Sequence, residues 1–259
     1  MPELVYPAAI MAAKTSFKLL GLRLDVRGSE HLPRTGGAVV ASNHTSFLDF
    51  IFVGIPADEQ GHRWVRFMAK DAVFRHPVAG PLMRNMKHIP VDREAGAQAY
   101  KDGLRALKAG ELLGVFPEAT MSRSMVLKEF KSGAARMAAA AAVPLVPVAV
   151  FGTARLLSYD HRDFTSRGVA VSIRVGEPLH PTRKDDADEV TAELKTRIGV
   201  LLEGILDDYP QQPADPASAP WWPASRGGGA PTPEEAARID AEVAAAKAAK
   251  RAAGPQQGQ

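Results

Sequence analysis

The alternation of short β-rich runs with helical patterns between residues 37 and 207 most constrains how this chain can fold. Six runs have the length and composition of strands: residues 37–42, 64–69, 88–91, 112–116, 145–151 and 169–175. Helical patterns lie between them, at residues 47–53, 77–85, 95–108 and 131–142. This alternation predicts an α/β fold with a mixed, largely parallel central sheet and helices on both faces.

The two ends of the chain differ from this central region. Residues 1–24 predict an N-terminal amphipathic helix, and residues 25–210 predict one domain that closes with a long helix capped by Asp186. Residues 211–259 are rich in Pro, Gly and Ala, and a capping box at Thr232 precedes an Ala-rich run. We therefore expect a linker and a flexible, weakly attached helical tail after the domain.

Composition excludes several classes of protein. The chain has no cysteine, which removes disulfides, thiolate nucleophiles and Cys-ligated metal sites. Residues 1–150 carry 19 Lys and Arg against 13 Asp and Glu, so the N-terminal part is basic. Basic character suits phosphate-bearing substrates or an anionic membrane surface. No dense basic stripe or known binding module is present, so nucleic acid is not expected as a partner.

The N-terminal segment has two interpretations. No run approaches the roughly 20 apolar residues that span a bilayer, and the charge order is wrong for a signal peptide. Lys14 and Lys18 border an otherwise apolar helix, a pattern that fits either an interfacial membrane helix or a helix packed on the domain. Trp221 and Trp222 could likewise anchor to a membrane, but the sequence favours their packing back on the protein.

The segment that follows the first predicted strand sets a histidine close to a carboxylate. Asn43 and His44 end the strand region, and Asp49 follows within the next helix. With His44 in the turn, Asp49 can accept from one ring nitrogen and leave the other to take a proton from a hydroxyl. The alternative is a surface histidine with Asn43 and Ser46 as turn residues. No spacing typical of a zinc site accompanies the pair, so no metal is predicted.

A second polar segment follows the predicted strand at residues 112–116. It presents Glu118, Thr120 and Arg123, the chemistry of a polar pocket at the carboxyl end of a strand. Arg123 could bind a phosphate, and Glu118 could position a hydroxyl or hold Arg123; a structural ion pair is the alternative. Three further cations follow strands or flank this segment: Lys70, Arg93 and Lys131.

Four motifs in one order resemble the glycerolipid acyltransferase family, especially the 1-acylglycerol-3-phosphate acyltransferases. Over residues 25–180 this chain carries, in the family's order, Asn43-His44 with Asp49, residues 89–93 ending in Arg93, Phe116-Pro117-Glu118, and the Val-Pro-x-x-Pro-Val stretch at residues 143–148. The third motif departs from the family's Phe-Pro-Glu-Gly-Thr-Arg-Ser. Ala119 replaces the glycine, and matching Arg123 to the family's arginine requires a two-residue insertion of Met121 and Ser122.

The resemblance implies transfer of a fatty acyl group from acyl-CoA or acyl-carrier protein to the hydroxyl of a lysophosphatidic acid. His44 is then the general base and Asp49 orients it, while no metal or other cofactor is implied. The residues expected to bind substrate are Asn43, Ser46, Lys70, Arg93, Glu118, Thr120, Arg123 and Lys131. Because the acceptor is a lipid, we expect a peripheral enzyme on the cytoplasmic face of the cell membrane.

Three alternatives remain open at this stage. The acceptor could be another lysophospholipid or an alcohol. The chain could be a non-catalytic lipid-binding or phosphate-binding module of the same fold. A hydrolase using Ser46 or Ser122 with His44 is the third, although neither serine lies in a Gly-x-Ser-x-Gly turn.

Overall fold

A computed structural model describes residues 5–92, 96–163 and 165–252 of the chain. Within these ranges seven strands form one sheet: β1 Arg23–Arg27, β2 Ala38–Ser42, β3 Val65–Lys70, β4 Ile89–Val91, β5 Leu112–Val115, β6 Leu145–Phe151 and β7 Ala170–Val175. The α-helices are α1 Val5–Leu19, α2 Asp49–Val53, α3 Ile55–Gly61, α4 Asp71–Phe74, α5 Ala79–Asn85, α6 Gly96–Lys108, α7 Gly133–Ala141, α8 Ala187–Asp208 and α9 Pro233–Ala252.

The strand order across the sheet is β1-β7-β6-β2-β5-β3-β4. All neighbouring strands run parallel except β6 and β7, which are antiparallel. The five strands from β6 to β4 therefore point the same way, and their carboxyl ends share one edge. This arrangement confirms the predicted α/β fold with a mixed, largely parallel sheet.

The central strands β2, β5 and β6 are buried along their whole length, as expected for strands covered on both faces. Close packing at β5 requires a glycine. A Cβ built on Gly114 would lie 2.4 Å from the ring of Phe67 on β3, so only a residue without a side chain lets that ring lie flat against the strand.

Strand β1 is the element that the sequence pattern missed. Its residues, Arg-Leu-Asp-Val-Arg, alternate charged with apolar side chains, and the strand lies at the edge of the sheet beside β7. Arg174 on β7 donates to the carboxylate of Asp25 at 2.6 Å. This ion pair neutralises the charge of Asp25 at the exposed edge of the sheet. The short helices α3 and α4 were also missed, because four to seven residues give little periodicity.

Two long helices cover the sheet. Helix α8 begins as predicted, with the Asp186 carboxylate accepting from the amides of Asp188 and Glu189, and buries its apolar stripe through Ile205. Helix α1 packs one side on the domain. The Tyr6 hydroxyl donates to the carbonyl oxygen of Val65 at 2.7 Å.

Contacts between Cα atoms divide the chain into two compact units. The first contains residues 1–121 and 127–211, and the second contains Ser122–Val126 together with the chain from Gln212 onward. Within the second unit Trp222 is buried, and helix α9 starts at a capping box in which Thr232 and Glu235 each accept from the other's amide. Ser122–Val126 groups with the C-terminal segment in this division, and the domain boundaries at residues 24 and 210 stay a prediction. The weak attachment of that segment stays a prediction.

Among the helices of the described ranges, none combines the length and apolar character needed to cross a bilayer.

Candidate active site

Three adjacent parallel strands deliver polar residues to one edge of the sheet. Strand β2 pairs with β5 on one side and β6 on the other, so the three carboxyl ends lie side by side. His44 follows β2, Glu118 follows β5 and Thr153 follows β6. In parallel sheets this edge is where ligand crevices form. The fold thus assembles the site from segments that are far apart in sequence.

His44 and Asp49 are in hydrogen-bond contact, as the sequence predicted. The His44 Nδ1 atom lies 3.0 Å from Asp49 Oδ2, and Asp49, the first residue of α2, is fully buried. An ionised carboxylate can only accept, so Nδ1 carries the proton and Nε2 is left as an acceptor. The His44 side chain is 21% exposed, which leaves the ring within reach of a bound molecule.

The Asp49 carboxylate is held on both oxygens. Oδ2 also accepts from the backbone amides of Thr45 and Ser46, at 2.7 and 2.8 Å, while Oδ1 accepts from the Thr153 hydroxyl at 2.6 Å. These donors stabilise the charged carboxylate in a site without solvent. Thr153 is fully buried and the sequence analysis missed it. The available signal was a hydroxyl residue directly after Gly152, where β6 ends beside β2.

The turn that precedes Thr153 requires a glycine at position 152. Its φ is +97°, and a Cβ at this position would lie 2.2 Å from the carbonyl oxygen of Ala170. Glycine alone tolerates both the backbone angle and the contact. The turn therefore brings the Thr153 hydroxyl directly to Asp49.

Glu118 links the His44 segment to the chain at Lys128, beyond the third motif. Its Oε1 accepts from the His44 amide at 2.8 Å, and its Oε2 accepts from the Lys128 amide at 3.0 Å. The residue is buried, and this burial raises the pKa of the Glu118 carboxyl to about 7, against the lowering effect of the two amides. Its carboxyl positions the backbone that carries the imidazole.

The His44 ring is also held from its flat side. It stacks on the Phe116 ring with centroids 4.1 Å apart and planes 14° from parallel. Phe116 in turn stacks on Phe67 of β3 at 5.7 Å. This packing limits rotation of the imidazole, so its two nitrogens keep their directions.

Asn43 and Ser46 bind backbone groups. The Asn43 side-chain amide donates to the Val150 carbonyl at 2.9 Å, and its oxygen accepts from the Val150 amide at 2.8 Å. The Ser46 hydroxyl donates to the carbonyl of Leu157 at 2.6 Å. Both residues are buried and fasten the His44 turn to β6 and the chain after it. Their predicted contacts with substrate stay a prediction.

The remaining predicted cations are placed differently. Lys70 is exposed at the carboxyl end of β3, and Lys131 is exposed with its amide donating to the Pro117 carbonyl at 2.9 Å. Thr120 accepts from the Lys128 ammonium at 3.0 Å. Arg93 lies outside the described residues.

Arg123 belongs to the second unit, where it makes an ion pair. Its Nε donates to Asp240 Oδ1 on α9 at 3.0 Å, and the arginine is 8% exposed. The alternative weighed in the sequence analysis was a structural ion pair within a turn, whereas the acid observed here, Asp240, lies on α9. A substrate contact by Arg123 stays a prediction.

Ala119 occupies the position where the resembling motif has glycine. Its φ is +61°, a left-handed angle that an alanine adopts at a cost of about 1 kcal/mol. The conformation explains why glycine suits this position.

An apolar cavity of about 170 Å³ lies between α1 and the helices α2 and α5. Its wall includes Ala13 and Phe17 of α1, Phe50 and Ile51 of α2, and Leu82 of α5. Phe50 directly follows Asp49 in the chain, so the apolar space begins on the helix that carries the buried carboxylate.

Within the described ranges, no group of three or more His, Asp or Glu side chains is arranged to hold a metal ion. The site is built instead from a histidine, buried carboxylates and hydroxyls.

Known acyltransferases are similar to this chain. A family model described as Acyltransferase matches residues 23–151, which include His44, Asp49 and Glu118. The chain is similar to a 1-acyl-sn-glycerol-3-phosphate acyltransferase of Bacillus subtilis, with 30% identity over 190 residues that cover 72% of this chain and 87% of the relative. A protein of the same name from Borreliella burgdorferi is 28% identical over 199 residues, 74% of this chain and 76% of the relative.

A solved structure shares the fold. The crystal structure of the 1-acyl-sn-glycerophosphate (LPA) acyltransferase PlsC from Thermotoga maritima matches with a TM-score of 0.63 and 24% identity, over 74% of this chain and 76% of that one. At this identity the likeness concerns the fold alone.

Proposed function

This chain belongs to the acyltransferase family that includes the 1-acyl-sn-glycerol-3-phosphate acyltransferases, and we propose that it makes phosphatidic acid by acylating 1-acylglycerol-3-phosphate. The acyl donor is a thioester, acyl-CoA or acyl-carrier protein. The observation that carries the proposed mechanism is the 3.0 Å contact between His44 Nδ1 and the fully buried Asp49.

In this mechanism His44 Nε2 takes the proton from the acceptor hydroxyl while the hydroxyl oxygen bonds to the thioester carbonyl carbon. The tetrahedral intermediate then breaks its carbon–sulfur bond, and the proton passes from His44 to the leaving thiolate. Asp49 keeps the imidazole in the required tautomer and stabilises its charged form. The base starts and finishes the reaction neutral.

The surroundings of Ser46 support direct transfer without an acyl-enzyme. Its hydroxyl donates to Leu157 at 2.6 Å and accepts from the Leu48 amide at 3.0 Å, and the residue is fully buried. A serine nucleophile needs a hydroxyl that is open to substrate and bonded to its base. The hydrolase alternative therefore finds no support at Ser46.

We assign the apolar cavity beside α1 to part of an acyl chain. Its wall is mostly apolar, and it borders the helix that begins at Asp49. Burial of methylene groups there contributes about 0.8 kcal/mol each. Replacing Ala13 with Phe narrows the space, and we expect this variant to prefer shorter acyl chains.

We further propose that the enzyme acts as a peripheral protein at the cytoplasmic face of the membrane. Met11 and Leu19 of α1 are each 69% exposed, and Lys18 lies in the last turn of the same helix. Apolar side chains flanked by lysines bind the interface of an anionic bilayer. A lipid acceptor would then reach the site from the membrane surface.

The deciding experiment incubates the protein with mixed lysolipids and with both thioester donors, followed by mass spectrometry of the products. Phosphatidic acid is the expected product, and acylation of a different lysolipid would replace the proposed acceptor. His44→Ala should lower kcat about 10²- to 10⁴-fold while the thermal unfolding midpoint stays near that of the wild type. The matched control is His180→Ala at an exposed histidine, which should keep full activity. An inactive wild type would favour the non-catalytic binding module.

A further inference from the structure

The segment at residues 128–131, after the third motif, folds back along the turn that follows β5. The Lys128 amide donates to Glu118, and the Lys131 amide donates to the Pro117 carbonyl at 2.9 Å. The Lys128 ammonium donates to the Thr120 hydroxyl oxygen at 3.0 Å. The backbone and the side chain of Lys128 are therefore both fixed on the turn that carries Glu118.

One carboxylate connects this lysine to the proposed base. The two oxygens of Glu118 accept from the amides of His44 and Lys128 at 2.8 and 3.0 Å. Because Glu118 is buried and both contacts are short, the His44 turn and the Lys128 segment keep a fixed separation. The His44 amide and the Lys128 amide are therefore held on the two oxygens of one carboxylate, which brings the Lys128 segment near the proposed base.

The turn itself offers no cation. Residues 116–121 contain no Lys or Arg, and Met121 at its end is buried. The sequence analysis gave the phosphate to Arg123, whose guanidinium donates to Asp240 within the second unit. In the first unit the positive charge that the structure attaches to this turn is that of Lys128.

Resting on the proposed function, we propose that Lys128, with the hydroxyl of Thr120, binds the phosphate of the lipid acceptor. Thr120 Oγ1 accepts from the ammonium, so its own proton can be donated to a phosphate oxygen. Both residues are partly exposed, which permits contact with a ligand. An ammonium together with a hydroxyl forms charge-assisted hydrogen bonds to a phosphate.

The same chemistry would also recognise the phosphates of coenzyme A, so the test must separate acceptor from donor. Steady-state kinetics with lysophosphatidic acid and acyl-CoA in mixed micelles give a KM for each substrate. For Lys128→Met, which keeps the apolar stem and removes the charge, we expect the KM for lysophosphatidic acid to rise about tenfold or more. The KM for acyl-CoA and kcat should stay within about twofold, since neither depends on this charge.

Three further variants complete the design. Lys128→Arg should recover most of the affinity, and Lys128→Gln repeats the neutral substitution in case the methionine variant fails to fold. Lys108→Met removes an exposed lysine at the end of α6 and should leave all constants unchanged. Glycerol 3-phosphate, used as a competitive inhibitor, should bind the neutral variants about tenfold more weakly.

The outcomes are distinguishable. A wild type that acylates lysophosphatidic acid, combined with an unchanged acceptor KM in both neutral variants, would overturn this inference alone. A rise confined to the KM for acyl-CoA would move the lysine to the donor phosphates and also overturn it. A wild type without any acyl transfer would instead defeat the proposed function.

Discussion

The hydroxyl of Thr153 donates to Oδ1 of Asp49 at 2.6 Å, and both side chains are fully buried. The other carboxylate oxygen faces His44. Thr153 thus holds one oxygen of the carboxylate while the imidazole binds the other. We assign it as a positioning residue for the proposed base.

Replacing Thr153 with the isosteric valine should lower kcat about 10- to 100-fold, the range for loss of a hydrogen bond to a charged group. Without the donor, the carboxylate that orients the imidazole is held by fewer hydrogen bonds. The loss should fall on kcat, with the KM for the acceptor within about twofold of the wild type, because Thr153 holds Asp49 and not the substrate. Steady-state kinetics at one fixed pH separate the two constants.

Two controls separate positioning from a loss of stability. Thr153→Ser keeps the hydroxyl and should restore most of the wild-type kcat. Thr191→Val removes a buried threonine hydroxyl that donates to a carbonyl within α8, and it should leave kcat unchanged. A kcat of Thr153→Val equal to that of the wild type would refute the assignment.

The sequence was sufficient for the local part of this site. His44 and Asp49 lie five positions apart, and a strand, a turn and a helix start between them determine their contact. Glu118 was found because it follows a strongly apolar strand. Such features depend on patterns within a few consecutive residues, which can be recognised from the sequence alone.

The part of the site that comes from distant segments of the chain could not be predicted, because it depends on the order of the strands in the sheet. Thr153 meets Asp49 because β6 lies beside β2, a neighbour relation that periodicity does not contain. The pairing of Arg123 with Asp240 joins a turn to a C-terminal helix whose attachment no local pattern reveals. Edge strand β1 was missed because it has only two apolar residues among five, too few for its alternation to stand out from a polar segment.

His88 should make folding sensitive to acid. Its Nδ1 accepts from the Phe67 amide at 2.9 Å, and burial, with a smaller contribution from the positive charge of Arg66, lowers the pKa of the imidazole to about 4. Since the unfolded chain binds a proton near pH 6.5 and the folded one does not, stability falls as the pH decreases between these values. The expected loss at pH 4.5 relative to pH 7 is about 2 to 3 kcal/mol.

Urea unfolding at pH 7 and pH 4.5 measures this loss. His88→Asn keeps an acceptor for the Phe67 amide but does not titrate, so the wild type should lose about 2 to 3 kcal/mol more than this variant between the two pH values. Glu118 titrates in both proteins and cancels in the comparison. The exposed His180→Asn should follow the wild type. An equal acid sensitivity of His88→Asn and wild type would contradict the prediction.

Replacing Ala119 with glycine should stabilise the fold. The alanine has φ +61°, and glycine adopts this angle without the steric penalty, which offsets its greater freedom in the unfolded chain. We expect the free energy of unfolding to increase by about 0.5 to 1 kcal/mol, measured by urea titration. Ala192→Gly, at an exposed position inside α8, should instead destabilise by about 1 kcal/mol. A decrease for both variants would show that Ala119 is not strained.

Membrane binding through α1 should depend on its outward apolar side chains. Met11 and Leu19 are each 69% exposed, whereas Phe17 stacks on Phe52 and holds the helix on the domain. Substituting Met11 and Leu19 with Glu removes apolar contacts worth about 1.5 to 3 kcal/mol each, so sedimentation with anionic vesicles should fall at least about tenfold. The control is Val200→Glu at a position of α8 that is 68% exposed, which should bind vesicles like the wild type. If the double variant sediments as well as the wild type, α1 is not the membrane anchor.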